Sequence, residues 1–274
     1  MKEKIKICGV LILSGFSFFY TNKVSNIIKE NDPIMKEITK AKETMYVKKT
    51  DRITMKDEYL TGLNGCVIDE KNSYSKMKNQ GEYKKELLVM KEDKIKKTND
   101  LYIAGGNKEK RNVSIILFNI DNNIDKYIKK NNIKINYFLD GKFVTDNIDK
   151  LIEISKYSNI YSLGRNKKYE NKYMLFDNNV IKSNFKNESN YCLVLKKDED
   201  ILKRCSSYNM KTIIGNEISS NYLSTVKNTL SSGKIFVFDN ISYNEFMITT
   251  KYIMSKGYNI KTIDDLLDET NNCN

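Results

Sequence analysis

The sequence contains no histidine and no tryptophan among its 274 residues. Histidine is the most common metal ligand in proteins and the usual acid or base near neutral pH. Its absence excludes every mechanism that needs an imidazole, including the Ser-His-Asp triad and histidine-based zinc sites. Proline occurs once, at Pro33, where it interrupts a helical pattern.

Arginine is also scarce. The net charge is +12, yet of 47 basic residues only four are arginine, at Arg52, Arg111, Arg165 and Arg204. Nucleic-acid sites favour arginine because its guanidinium makes bidentate contacts. Lysine, asparagine and isoleucine are abundant throughout, so we explain the charge by compositional bias and predict no nucleic-acid binding. The charge suits a weak attraction to anionic wall polymers or lipid headgroups.

The cysteines have no CxxC spacing; they are Cys8, Cys66, Cys192, Cys205 and Cys273. Cys192 and Cys205 can pair if a neighbouring strand and helix bring them together. We favour unpaired buried thiols instead, because free cysteine behaves as a small apolar residue in protein cores.

The first 21 residues resemble a membrane-targeting segment. Lys2, Lys4 and Lys6 precede the uncharged run Ile7–Tyr20, which is the order of a basic n-region and an apolar core. No small-x-small cleavage site follows the run. We therefore predict a signal anchor or transmembrane segment at residues 1–21, with the rest of the chain extracytoplasmic at the cell membrane, or secreted if the segment is cleaved. The alternative is a buried hairpin of a soluble protein.

Two smaller segments precede the main domain. Residues 22–45 are polar, with apolar side chains at spacings of three and four, and predict a helical juxtamembrane stalk. Residues 46–110 contain short apolar pieces between glycines, whose lengths suit strands of a small β-rich accessory region. No chemical motif is visible in either segment.

Strands and helices alternate regularly over residues 111–270. The near-continuous apolar run Val113–Asp121 predicts a strand buried on both faces. The further predicted strands are Ile135–Leu139, Asn159–Leu163, Tyr191–Leu195, Lys211–Ile214, Ile235–Phe238 and Asn259–Ile263. Residues 164–190 are polar and ambiguous, either a long loop or a small excursion. Successive strand-helix units predict an α/β fold with a parallel sheet that is closed, or nearly closed, into a barrel.

Local signals predict where several helices begin and end. Ser242 and Glu245 have the spacing of a capping box, and Thr145 can cap the helix that follows it. Gly233 has the position of a helix C-cap.

Functional groups in such a fold collect where the strands end. The strand ends supply Asn119, Asp121, Asp140, Arg165, Asn166, Lys196, Lys197, Asn216, Glu217, Asp239 and Asn240. Each of these can equally start a loop or cap a helix, and for Asp121, Asp198 and Asn240 we favour that structural role.

Five segments carry a resemblance to a known family: VSIILFNID, KKNNIKINYFLDGKFVTDNIDKLIEI, NIYSLGRNKKYE, SSGKIFVFDN and IMSKGYNIKTIDDLL. In order and spacing they are similar to the polysaccharide deacetylases, the NodB-homology carbohydrate esterases. The resemblance covers about Arg111 to Asp268. It implies a distorted (β/α) barrel of the deacetylase type, holding one divalent metal that activates water to remove acetyl groups from N-acetylated sugars.

The first motif of that family is a phenylalanine followed by two aspartates, and it falls on Phe118, Asn119 and Ile120. An amide thus replaces the catalytic base, and a hydrocarbon replaces the first metal ligand. A register shift of one residue recovers Asp121, but only as one carboxylate of two.

The remaining motifs also differ. The paired histidines fall on Asn166 and Glu170, and the late histidine that protonates the leaving group falls on Asp239. The third motif meets Leu193–Lys197, which has neither its arginine nor its prolines. The resemblance therefore implies a degenerate member with no catalytic residues, no metal and no other cofactor.

We predict a pseudoenzyme that binds cell-wall glycan or peptidoglycan, or that scaffolds a partner wall enzyme. The ligand-binding residues would be Asn119, Asp121, Asn166, Glu170 and Asp239, and Tyr161 or Tyr169 would stack on a sugar ring.

The alternative is an active hydrolase of carbon-nitrogen bonds other than peptide bonds. It would deacetylate N-acetylglucosamine or peptidoglycan through a carboxylate site without histidine. Asp121, Glu170, Glu217 and Asp239 are the carboxylates available for a metal site of oxygen ligands or for an acid/base pair.

Overall fold

The computed structural model describes residues 23, 24, 27, 29–96, 101–185, 187 and 191–273. The predicted anchor at residues 1–21, and Cys8 within it, lie outside the described residues. In the part that is described, no helix has both the length and the apolar character needed to cross a membrane.

The strands, in chain order, are β1 (Ile53–Met55), β2 (Glu58–Leu60), β3 (Gly65–Ile68), β4 (Met90–Asp93), β5 (Tyr102–Gly105), β6 (Asn112–Leu117), β7 (Ile135–Leu139), β8 (Ser158–Ser162), β9 (Tyr191–Val194), β10 (Lys211–Ile214), β11 (Glu217–Ile218), β12 (Ile235–Phe238) and β13 (Asn259–Lys261). The helices are α1 (Pro33–Thr44), α2 (Glu70–Lys78), α3 (Asn122–Asn131), α4 (Gly141–Asp146), α5 (Ile148–Ser155), α6 (Asn171–Asn184), α7 (Glu199–Ser207), α8 (Tyr222–Thr229), α9 (Tyr243–Ser255) and α10 (Ile263–Leu267).

The described residues form two compact units. Unit 1 contains the described residues up to 49, residues 64–94 and the described residues after 270, and unit 2 contains residues 50–63 and the described residues between 95 and 270. These units cut across the predicted accessory region 46–110, because β2 and β5 pair with each other and β5 pairs with β10. Pairing between strands so far apart in sequence leaves no local pattern to predict it from.

Unit 1 combines two helices with a strand pair. β3 and β4 pair antiparallel from Gly65 opposite Asp93 to Ile68 opposite Met90. Helix α1 lies in the segment predicted to be a juxtamembrane stalk, and its Met35 and Ile38 are buried together with apolar side chains of α2 and β3. A helix with a buried face gains its stability from packing rather than from standing free.

The described part of the chain contains two disulfides. Cys66 is bonded to Cys273 in unit 1, and Cys192 is bonded to Cys205 in unit 2. The prediction of unpaired thiols at these positions is wrong. Cys192 lies on β9 and Cys205 on α7, and their Cα atoms are 6.4 Å apart, which is within the reach of a disulfide.

Unit 2 contains two mainly parallel sheets. The first has the order β11-β12-β6-β7-β8, with β13 also paired to β6, and the second has the order β1-β2-β5-β10-β9. The β1–β2 pair of the second sheet is antiparallel, and the other strand pairs of both sheets are parallel. The predicted α/β class with parallel strands is confirmed. Among the described residues of unit 2, the strand hydrogen bonds are divided between two sheets and do not form one closed ring.

The central strand β6 is buried on both faces, as predicted. Val113, Ile115 and Leu117 belong to the apolar cluster formed with the helices, and Ile116 and Phe118 belong to the cluster formed between the strands. This alternation follows from the two-residue period of a strand. β6 ends at Leu117, short of the predicted end at Asp121, so the polar residues after it start a loop.

Helix α6 is the largest element that the sequence did not predict. It occupies residues 171–184 of the ambiguous stretch, and its buried face contains Asp177 and Asn178 beside Met174 and Ile181. Polar residues on the buried face break the apolar period by which a helix is recognised.

The helix-end signals had mixed outcomes. The capping box of Ser242 and Glu245 at the start of α9 is confirmed. The prediction for Thr145 is wrong, because this residue lies inside α4 and its hydroxyl donates to the carbonyl of Lys142. The prediction for Gly233 is also wrong. The helix before it ends at Thr229, and Gly233 has a φ of 80° in a turn where a Cβ would lie 2.2 Å from the Gly106 carbonyl oxygen.

Candidate functional site

The strand ends of the first sheet form the candidate site, which we call the mouth of unit 2. At the ends of β6 and β12, the Asn119 side-chain nitrogen donates to the Asn240 side-chain oxygen at 2.9 Å. Asn240 has a φ of 53°, in the left-handed region that asparagine tolerates. The pair ties two neighbouring strand ends together and leaves the Asn119 side chain exposed at the mouth.

Asp121 acts as a helix cap. Its Oδ1 accepts hydrogen bonds from the backbone N–H groups of Asn123 and Ile124, at 2.8 and 2.9 Å, at the start of α3. The structural role favoured for this residue is thus confirmed. A register shift of one residue would align Asp121 with a catalytic position. Its carboxylate, however, already accepts hydrogen bonds from the backbone at the start of α3. Ile120 beside it is half-buried against the core.

A tight turn follows β8. The backbones of Arg165 and Lys168 exchange two hydrogen bonds of 3.0 Å, and the two residues between them, Asn166 and Lys167, have φ values of 52° and 58°. Positive φ at both central residues is the pattern of a type I′ turn. Asp140, at the end of β7, accepts the Asn166 N–H at 2.6 Å and the Lys142 N–H at 2.9 Å. One carboxylate thus caps α4 and holds the turn.

The turn places a lysine near the end of β6 and the start of β11. The Lys167 Nζ lies 4.9 Å from the centre of the Phe118 ring and 3.8 Å from the Glu217 Oε1. Phe118 follows β6, and Glu217 begins β11. Lys167 was not among the site residues predicted from the sequence. Only the turn-forming Asn166 hints at its position, because the contacts of Lys167 join residues far apart in the chain.

The two remaining predicted residues lie at other strand ends. Glu170 is exposed where α6 begins, and its side chain makes no capping hydrogen bond. Asp239 is half-buried, and its backbone carbonyl accepts a hydrogen bond from the Tyr222 hydroxyl.

The five predicted ligand-binding residues all lie at the ends of strands of the first sheet or in the segments that follow them. They are Asn119, Asp121, Asn166, Glu170 and Asp239. In the described part of the chain, no hydrogen bond joins any two of them directly.

The buried carboxylate of Asp177 pairs with Arg165, the first residue of the turn. The Asp177 side chain is only 3% exposed, and its Oδ1 lies 3.1 Å from an Arg165 guanidinium nitrogen. Ser162 donates to Asp177 at 3.4 Å, and the guanidinium of Arg165 lies 3.9 Å from the centre of the Tyr173 ring. Gly141 packs against this carboxylate so closely that a Cβ would lie 2.1 Å from its Oδ2. We assign the cluster a structural role.

The prediction that Tyr161 or Tyr169 stacks on a sugar is wrong. Their exposed fractions are 1% and 3%, so neither ring face can be reached. The Tyr169 hydroxyl accepts the Leu193 N–H, and the Tyr161 hydroxyl donates to Asp264. Burial raises the pKa of both phenols above the usual value, and the charge of Asp264 adds to the rise for Tyr161.

A divalent metal does not fit the residues at the implied positions. Ile120 has no donor atom, the Asn119 amide is bonded to Asn240, and Asp121 caps a helix. Across the residues that the structure describes, no group of three or more cysteines, aspartates and glutamates is arranged to hold a metal ion.

Similarity to known proteins is found at the level of structure. No protein-family model matches the sequence, and no curated protein is significantly similar to it. A CE4 family pseudoenzyme from Bacillus anthracis, BA3943, is 19% identical and has a TM-score of 0.59, with 88% of this chain and 96% of that chain covered.

Two further similar structures are carbohydrate deacetylases or esterases. The Bc1960 peptidoglycan N-acetylglucosamine deacetylase is 13% identical, with a TM-score of 0.51 and coverage of 62% of this chain and 95% of that chain. Bacillus subtilis PdaA, a family 4 carbohydrate esterase, is 15% identical, with a TM-score of 0.50 and coverage of 61% and 84%. The chain therefore has the fold of the family 4 carbohydrate esterases, which confirms the resemblance at the level of the fold.

Proposed function

We propose that this protein is a catalytically inactive, deacetylase-like protein that binds cell-wall glycan at the mouth of unit 2, outside the cytoplasm. The observation that best supports this is that residues at the positions implied to be catalytic make other contacts, although the chain has the fold of the family 4 carbohydrate esterases. Asn119 bonds to Asn240, and Asp121 holds the backbone of a helix. The mouth keeps polar groups suited to sugars, while Asn119 and Ile120 replace the base and the metal ligand of the first motif.

The sizes of the missing contributions argue against the family's mechanism. A bound metal lowers the pKa of its water from about 15.7 to about 7. A positioned general acid or base contributes a factor of roughly 10² to 10⁴. Asn119 cannot take up a proton at neutral pH, and Ile120 cannot bind a metal, so both contributions are missing from the first motif.

Binding a glycan needs hydrogen-bonding groups, and it needs neither a metal nor a residue that transfers protons. A side-chain amide offers two donors and two acceptor lone pairs. In the contact with Asn240, Asn119 uses one of its donors and Asn240 uses one of its acceptor lone pairs. The rest of the exposed Asn119 amide is available to sugar hydroxyls and acetamido groups. Glu170 and Asp239 add carboxylates that accept hydrogen bonds from hydroxyls.

The proposed location outside the cytoplasm has two supports. Disulfides persist in oxidising compartments and are rare in the cytosol, and this chain has two. The basic and apolar pattern of residues 1–21 is that of a signal anchor. We therefore propose a cell-membrane protein whose unit 2 faces the wall.

The test uses the purified full chain, titrated with the N-acetylglucosamine hexamer and sedimented with insoluble peptidoglycan. We expect saturable binding of the hexamer and retention on the peptidoglycan. Asn119→Ala should weaken hexamer binding about fivefold, since one net hydrogen bond is worth about 1 kcal/mol. Asn244→Ala changes an exposed asparagine on α9 and is the matched control. A chain that binds neither glycan contradicts the proposal.

Two other results would replace the proposal. Acetate release from an acetylated glycan, lost in Asp239→Ala and accompanied by stoichiometric metal, would show an active hydrolase with a carboxylate site. Cross-linking to a wall enzyme in membranes, without retention on glycan, would show a protein scaffold instead.

A further inference from the structure

Lys167 has a backbone conformation that is unusual for lysine. Its φ of 58° lies in the left-handed region, which residues other than glycine, asparagine and aspartate rarely adopt. The preceding Asn166 is also left-handed, and Asp140 fixes it by accepting its N–H. Such conformations persist only where the surroundings hold them, and they are common at ligand sites.

The Lys167 ammonium is positioned over an aromatic ring by two weak contacts. It lies 4.9 Å from the centre of the ring of Phe118, a buried residue that is 8% exposed. The Glu217 oxygen at 3.8 Å is near the outer limit of an ion pair, and the Lys167 side chain is 58% exposed. Each contact of this kind shifts an equilibrium by a factor of about two to five.

Phe118 is the immediate neighbour of a proposed glycan contact. It directly precedes Asn119, so the ring and the exposed amide stand at the end of the same strand. Sugar sites combine apolar or aromatic surface with a few polar groups that fix orientation. With the lysine moved aside, the Phe118 ring and the Asn119 amide would offer this combination.

We propose that the Phe118 ring is a stacking subsite for the apolar face of one pyranose ring, and that the Lys167 side chain covers it until a glycan displaces it. This rests on the glycan binding proposed above. The two contacts together favour the covered state by about 4- to 25-fold, which lowers the apparent affinity by about 5- to 25-fold.

Hexamer titrations of Lys167 variants test the subsite. Lys167→Ala removes the cover and should tighten binding about 5- to 25-fold. Lys167→Arg keeps both the ring contact and the ion pair, so its dissociation constant should stay within about twofold of the wild-type value. Lys168→Ala removes the same charge one residue away and should also leave the affinity unchanged.

A double variant links the gain to the ring. Phe118→Leu keeps an apolar side chain in the core, and in the Lys167→Ala background it should abolish the gain. Since Phe118→Leu can also disturb folding, salt provides a second measurement. High salt screens the pair of Lys167 and Glu217, so it should tighten hexamer binding by the wild type and not by Lys167→Ala.

The outcomes separate the two proposals. If the wild type binds the hexamer and Lys167→Ala binds it equally or more weakly, the subsite is wrong and glycan binding stands. If the wild type and both Lys167 variants all fail to bind the hexamer, glycan binding itself is wrong and the subsite falls with it.

Discussion

Asp177 is a buried carboxylate that pairs with Arg165. We expect a substitution that removes its charge to lower the stability of the fold. The two side chains are 3% and 23% exposed. Asp177→Asn keeps the shape but leaves a largely buried guanidinium without its counter-charge, so we expect a loss of about 3 kcal/mol in the free energy of unfolding. Urea denaturation measures it.

The matched control for that change is an exposed ion pair. Glu199 and Lys203 lie 3.5 Å apart on α7, with side chains 82% and 73% exposed. Glu199→Gln should cost less than about 0.5 kcal/mol. Equal effects of the two substitutions would show that Asp177 is not the buried partner described above.

Tyr137 makes stability depend on alkaline pH. Burial, and next the charge of Asp125, raise the pKa of this phenol above its ordinary value of 10.0. A raised pKa in the folded state means that the stabilisation is fully present below pH 10 and is lost as pH rises above it. Above pH 10, titration of Tyr137 lowers the free energy of unfolding by up to about 1.4 kcal/mol per pH unit.

Tyr137→Phe tests this slope. The variant loses the hydrogen bond that the hydroxyl donates to Asp125, so it should be less stable at neutral pH. Above pH 10 its free energy of unfolding should fall less steeply than that of the wild type, in urea titrations at several pH values. Parallel curves above pH 10 would mean that Tyr137 does not titrate with folding.

What the sequence reveals about single residues depends on the distance to their partners. Asp121 and Asp198 were correctly interpreted as caps, because each accepts an N–H group two or three residues away. The contact of Asn119 with Asn240 spans 121 positions, and no local pattern reports it. The candidate site was therefore predicted as a set of strand ends, without its contacts.

Among the elements, α9 offers a clean test of a local signal. The Ser242 hydroxyl accepts the Glu245 N–H, and the Glu245 carboxylate accepts the Ser242 N–H. Ser242→Ala removes the cap and should lower stability by about 1 kcal/mol. Ser224→Ala, at an exposed position within α8, should stay within about 0.5 kcal/mol, as thermal or urea unfolding would show. A loss as large at Ser224 would argue against capping as the cause.

Elements were predictable where burial follows a simple period. β7, β10 and β12 coincide with the predicted ranges, because apolar residues in short runs bounded by turns leave few alternatives. α6 was missed since its inner face accommodates Asp177, and the cost of burying that charge is met by Arg165 on another segment.

At the scale of the whole molecule, the disulfides give a countable prediction. Among the described residues, four of the five cysteines in the sequence are bonded in two pairs, and Cys8 lies outside these pairs. Thiol titration of the denatured full chain should find one thiol before reduction and five after it. Five thiols before reduction, in protein isolated from an oxidising compartment, would contradict both bonds.

The division into units was the least predictable feature. Residues 50–63 and the described residues of 95–110 belong with unit 2, although the sequence pattern assigned them to the accessory region. Only tertiary pairing, such as Tyr59 beside Ile103 and Ile213 beside Ile103, assigns them. The fold class can be predicted from the hydrophobic period within each segment. The unit boundaries cannot, because they depend on contacts between segments.

The bond between Cys66 and Cys273 has a consequence for biosynthesis. The two residues are 207 positions apart, so a chain emerging from the ribosome or a translocation channel exposes Cys66 long before its partner has been made. Cys192 and Cys205 appear in the interval and can capture it. Because thiols exchange through mixed disulfides, the yield of correctly joined molecules should depend on an isomerase that reopens such early pairings.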